Sequence, residues 1–100
     1  MKAVIGDTVL AEAPVDDLIK IEGNWYFPPS SVNESYLSVS PTPYTCPWKG
    51  VCEYLTVTDG DTVLADRAWR YPEPYPTAFD RVGKDFSGYV AFWKEVTVVE

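Results

Sequence analysis

Two cysteines and a lysine fall within seven consecutive residues, and the 100-residue chain contains no histidine. The segment reads Cys46-Pro47-Trp48-Lys49-Gly50, with Cys52 two residues further on. Pro47 biases Cys46 toward extended backbone and removes one amide donor. Gly50 permits a positive φ or the close approach of another segment. If the loop folds back, the Lys49 ammonium favours a Cys46 thiolate, which is a nucleophile. The plainer reading is a small apolar Cys46 packed under a turn, with Lys49 in water. Cys52 is simplest as a small filler on a strand. On extended chain the two cysteines lie ~20 Å apart, too far to bridge unless a tight turn intervenes.

Aromatic residues form the second candidate set. Trp69 and Tyr71 fall on one face of an expected strand, and Tyr54 lies across a turn from them. Trp25 and Tyr26 come from an earlier strand. Such rings line pockets for flat ligands, and they also build small cores. Arg67 shares the expected face of Trp69, and with Lys49 it would hold an anion. Its alternative is a cross-strand ion pair with Glu53 or Asp61, worth under ~1 kcal/mol if exposed. Glu53 has no identifiable partner for acid–base work. The candidate catalytic pair is therefore Cys46 and Lys49. The candidate ligand set is Tyr26, Cys46, Lys49, Tyr54, Arg67, Trp69 and Tyr71. Without His, the commonest general base and metal ligand are missing. Two Cys cannot close a four-ligand zinc site, so neither metal nor other cofactor is expected.

Fifteen acids against eight bases give a net charge of −7, with no run of Lys or Arg. That balance disfavours nucleic acid and anionic membrane surfaces. No apolar run approaches the ~20 residues of a spanning helix. Asp7 interrupts any signal-peptide apolar region before it starts. A reducing cytoplasm is expected, with Cys46 and Cys52 as free thiols.

The elements that must position these residues are short. One hundred residues, 46% of them apolar, suit one domain spanning 1–100. A hairpin turns at Gly6-Asp7, and a second turn signal is Gly23-Asn24. Residues 17–22 alternate, with Ile19 and Ile21 on one face. Ser31-Val32-Asn33-Glu34 has capping-box spacing and allows at most one short helix, of one turn or two, through Leu37. Pro41 and Pro43 predict an extended, irregular stretch. Residues 50–58 form the clearest strand, with Val51, Glu53, Leu55 and Val57 opposite Cys52, Tyr54 and Thr56. Asp59-Gly60 turns it into a return strand over 61–71. Pro72, Pro74 and Pro76 end the pairing, residues 77–87 read as loop, and 88–99 read as a last strand. The sum is a mainly β domain of short antiparallel strands, a folded sheet or partial barrel.

Four stretches resemble a bacterial family known as DUF427. They are Tyr26-Phe27-Pro28-Pro29, Thr45-Cys46-Pro47-Trp48-Lys49-Gly50, Ala68-Trp69-Arg70-Tyr71-Pro72-Glu73-Pro74 and Gly88-Tyr89-Val90-Ala91-Phe92. The opening hairpin is also similar, and the likeness covers nearly the whole chain. It implies a fold similar to the β-tent of Mss4-like proteins, which include methionine sulfoxide reductase B. The family also carries a nucleotidyltransferase-like label, but this chain has neither a Gly-Ser with paired acids nor a Gly-rich phosphate loop. The chain departs from the family pattern at Arg70, at Cys52 and in a longer 75–87 segment.

Three functions are compatible with these residues. The expected one is a small-molecule-binding domain whose aromatic, Lys and Cys residues hold an aromatic or anionic ligand. A thiol-dependent enzyme using Cys46 is the first alternative. A protein-interaction module using Tyr and Pro residues of 71–76 is the second.

Overall fold

The strongest alternation in the chain becomes the interior of its largest sheet. The computed structural model describes residues 1–100. Strands β5 (Leu37–Cys46), β6 (Gly50–Asp59), β7 (Thr62–Arg70) and β8 (Val90–Phe92) form an antiparallel sheet in that order. The hairpin β1 (Lys2–Ile5) and β2 (Thr8–Glu12) pairs with β9 (Thr97–Val99) in a second sheet. A third, two-stranded sheet joins β3 (Ile19–Ile21) to β4 (Asn24–Tyr26). All pairings are antiparallel and no sheet closes into a barrel. No helix is long and apolar enough to cross a membrane.

Side-chain alternation across the four-stranded sheet makes two cores. Leu55 and Val57 of β6, Ala68 of β7, and Val90 and Phe92 of β8 face the β1–β2 hairpin residues Ala3, Leu10 and Ala11. Cys52 of β6, Trp69 of β7 and Ala91 of β8 face the other way, toward Ile19, Ile21 and Tyr26. Phe27 continues β4 and crosses to the first core, pairing with Val90 through two backbone hydrogen bonds of 2.8 and 2.9 Å. One residue's shift along the chain therefore moves a ring from one core to the other.

Three expectations need correction. No α-helix forms at Ser31–Leu37; two 3-10 turns, Pro29–Ser31 and Glu34–Tyr36, occupy that stretch. The Ser31 hydroxyl donates back to Pro28 O, so it caps nothing downstream, and Asn33 accepts from Ser35 N instead. The one α-helix, α1 (Pro76–Val82), lies inside the segment expected to be loop. Pro76 presets φ in its first turn, and Gly83, at φ 85°, ends it. Seven residues are too few to hold a helix alone. Packing of fully buried Ala78 and of Phe79 and Val82 into the second core holds it.

The Pro41–Pro43 stretch is extended and irregular, as expected: it lies in β5, with a shift of register between Val39 and Pro43. Proline is tolerated because β5 is an edge. Finally, 88–99 is two strands in different sheets. The chain leaves the large sheet after Phe92 and turns through Lys94, at φ 59°.

Candidate functional site

Two bulges beside β6 shape the face that carries the candidate residues. Val39 pairs with Leu55 and Pro43 with Glu53, so residues 40–42 all lie opposite Tyr54. Leu64 pairs with Val57 and Ala68 with Leu55, so residues 65–67 lie opposite Thr56. Bulges bend a strand and re-aim its side chains. Here they are tied together: the Thr42 hydroxyl donates to Asp66 Oδ2 at 2.7 Å. Hydroxyls of Ser40 and Thr42 hold the Asp66 carboxyl below the usual carboxylate range. Asp66 itself is left-handed at φ 59°, and its carbonyl accepts the Trp93 indole N–H at 2.6 Å. That bond fixes Trp93 at the rim of the sheet.

Beneath this rim is a cavity of about 200 Å³. Its lining is Glu22, Asn24, Tyr26, Tyr44, Lys49, Cys52, Tyr54, Trp69, Tyr71 and Trp93. The Tyr54 and Trp93 rings are tilted by only 21°, with centroids 6.5 Å apart. Trp69 meets Trp93 edge-to-face at 5.3 Å. At the floor, Trp69 Nε1 donates to the Tyr26 hydroxyl at 2.9 Å.

Lys49 is the polar centre of the cavity. It is the one charged side chain among the buried residues, 6% exposed. It forms a salt bridge with Glu22, and its ammonium lies 4.7 Å from the Trp48 centroid and 5.5 Å from that of Tyr71. A buried charge needs such partners. Glu22 reaches it from a tight β3–β4 turn in which Glu22 and Gly23 both have positive φ, 53° and 83°. That conformation costs a non-glycine residue about 1–2 kcal/mol. Behind Lys49, its carbonyl accepts Tyr75 N–H at 2.9 Å. The Pro-rich segment packs against Gly50, where a φ of 121° favours glycine; a Cβ there would meet Glu73 O and Tyr75 N only at ordinary contact, 3.4 Å.

Burial keeps the polar tips of this face protonated. It pushes Cys52 up to about 11, against the opposing effects of the Tyr71 hydroxyl and Lys49. It pushes Tyr26 up to about 12, despite the Trp69 hydrogen bond. Tyr71 and Tyr54 are raised for the same reason. At neutral pH the cavity offers hydroxyls, a thiol, an amide and one internal ion pair.

A family model described as a domain of unknown function, DUF427, matches residues 1–100. The chain belongs to the DUF427 family. No curated protein matches it.

In this DUF427 domain, five of the seven expected ligand residues meet at one cavity: Tyr26, Lys49, Tyr54, Trp69 and Tyr71. Cys46 does not line it. The thiol is 4% exposed and packs in the second core. A tight turn does fold Cys46 back: it pairs with Gly50 while Tyr44 pairs with Cys52, so the two cysteines are diagonal neighbours. Both are free. Arg67 is also elsewhere. The β7 bulge swings it away from Trp69, and its Nε bonds Glu95 at 2.5 Å. The cation that pairs with Glu53 is Arg70, at 2.7 Å, and Arg70 also binds Glu34 at 3.1 Å.

Sequence reasoning missed Glu22, Asn24, Tyr44 and Trp93 as lining residues and treated Cys52 as filler. Parity held a signal for one of them, because Trp93 follows Ala91 on the face opposite Val90 and Phe92. Nothing in the local sequence points Glu22 at Lys49, which is 27 residues away. The three places expected to depart from the family pattern do different things. Cys52 lines the cavity, Arg70 anchors β7 to Glu53 and Glu34, and residues 75–87 supply α1.

Proposed function

We propose that this domain binds a small, flat ligand with a hydrogen-bonding edge. One observation carries the reading: six aromatic rings and a buried Lys49, paired with the exposed Glu22, converge on a single cavity. Its volume of about 200 Å³ is below the ~300 Å³ lower bound of drug-sized pockets, so it suits one ring or two fused rings. The rings supply apolar faces. Asn24, Tyr26, Tyr71 and the ion pair supply donors and acceptors for the ligand's edge. Of the two expected classes, aromatic and anionic, the aromatic one has the better support within the cavity. Lys49 is already compensated by Glu22, and Arg67 is bonded to Glu95 elsewhere.

The thiol-enzyme reading has less support. Cys46 opens onto no cavity, and burial holds Cys52 as a neutral thiol, the less nucleophilic form. In a bacterial cytoplasm, the compartment the sequence leads us to expect, both thiols stay reduced. The interaction-module reading loses part of its strip, because Tyr71 and Pro74 are buried, while Tyr75 stays exposed.

The test is a thermal-shift series of flat heterocyclic metabolites against the wild type and Trp93→Ala. Binding raises the melting temperature in proportion to the logarithm of ligand excess over Kd. At least one flat compound should stabilise the wild type and not the variant. A series in which no flat compound shifts the wild type, or in which Trp93→Ala responds equally, sinks the reading.

A further inference from the structure

Acids outnumber bases almost two to one in this chain, so most cations should find a carboxylate. Only four do: Lys2, Lys49, Arg67 and Arg70. Two of the remaining four, Lys20 and Arg81, line the same cleft of about 260 Å³. They come from separate elements, Lys20 from β3 and Arg81 from the last turn of α1. The cleft also contains Trp48 and Glu22. Glu22 lines the aromatic cavity as well, so the two spaces adjoin at this side chain.

Each of these cations is held by a ring and not by a carboxylate. The Arg81 guanidinium lies 4.4 Å from the Trp48 centroid, and the Lys20 ammonium 5.1 Å from that of Trp25. A ring face restrains a cation without consuming its N–H donors. A stacked guanidinium keeps its edge free for two parallel bonds to an oxyanion. Because the Glu22 charge is compensated by Lys49, the cleft has two uncompensated positive charges on a chain of net charge −7.

We infer that the cleft is an oxyanion subsite for the same ligand: a flat ring in the cavity bears a carboxylate or phosphate that reaches past Glu22 to Lys20 and Arg81. This inference rests on the proposed ring-binding cavity and extends it to the ligand's charged group.

The test titrates indole, indole-3-acetate and 3-indoxyl phosphate into the protein by ligand-observed NMR. At least one anionic probe should bind about tenfold tighter than indole, the scale of one charge-assisted bidentate contact. In Arg81→Gln, and separately in Lys20→Gln, the affinity ratio of that probe to indole should fall toward one. Phosphate preferred over carboxylate, or the two bound alike, identifies which oxyanion the cleft takes. Equal affinity for indole and both anions overturns the subsite and leaves the cavity reading standing. No binding by any of the three probes overturns both. An anionic preference that persists in both variants places the charge recognition elsewhere and also overturns the subsite.

Discussion

The two faces of the β5–β8 sheet bury side chains of different chemistry. The face toward β1 and β2 is closed by Ala, Leu, Val and Phe, with no polar side-chain atom among its buried members. The face toward β3, β4 and α1 buries Tyr26, Tyr71, Trp69 and both cysteines beside Lys49. Burying polar atoms costs free energy unless every one is bonded. A second core built only for stability would use the chemistry of the first. The polar face also contains the cavity, the bulges of β5 and β7 and a left-handed Glu22, each of which costs order. Under the proposed function, one face serves folding and the other recognition.

The largest effect should come from the apolar face. Phe27 is fully buried and meets Phe92 edge-to-face at 5.8 Å. Phe27→Ala should lose about 3–5 kcal/mol of stability in urea unfolding. Trp93→Ala, on a ring 38% exposed at the rim, should lose under ~1 kcal/mol. Comparable losses from the two would erase the distinction between the faces.

The Lys49–Glu22 pair sharpens the comparison at intermediate size, because its partners are unequally buried. The Lys49 side chain is 7% exposed and that of Glu22 57%. Glu22→Gln leaves a buried ammonium facing a neutral amide, which should cost about 2 kcal/mol. Lys49→Met keeps most of the stem and leaves Glu22 in water, so it should cost under ~1 kcal/mol. Urea titrations at pH 7 rank the two variants. A larger loss from Lys49→Met would mean that the charge itself, through the Trp48 and Tyr71 rings, holds this face together.

How much of this was legible in the sequence follows the same division. Strict alternation at 51–57, and turn signals at Gly6-Asp7 and Asp59-Gly60, fix the apolar face, because period-two burial is written locally. The aromatic set was legible through the same parity: Tyr54, Trp69 and Tyr71 lie where alternation puts them. Arg67 was misplaced because parity fails inside a bulge, and nothing in Ala65-Asp66-Arg67 marks that bulge. Glu22 reaches the cavity over a separation of 27 residues that no local pattern encodes, and Tyr44 through the β5–β6 hairpin, where it pairs with Cys52. Helix α1 was missed because two turns between Pro76 and Gly83 carry too little periodicity to read, and packing stabilises them.

The smallest effect is absent at neutral pH and separates the faces only in alkali. Cys52 and Tyr26 both ionise to anions, and burial raises both when the chain folds. A raised folded value means that the stability these groups contribute is complete below their unfolded values and is lost as pH rises toward the folded ones. For Cys52 that window runs from 9.0 to about 11, and for Tyr26 from 10.0 to about 12. The urea midpoint should therefore be level from pH 7 to 9 and then decline. In Cys52→Ala the decline should start nearer pH 10, with Tyr26 and its raised neighbours Tyr54 and Tyr71 as the groups that remain. The apolar face has no ionisable side chain among its buried members, so any early loss belongs to the polar one. A midpoint unchanged through pH 11, or an identical onset in the variant, would show that these tips are not held neutral by burial. The cavity would then be wetter, and a poorer site for a flat ligand, than its lining suggests.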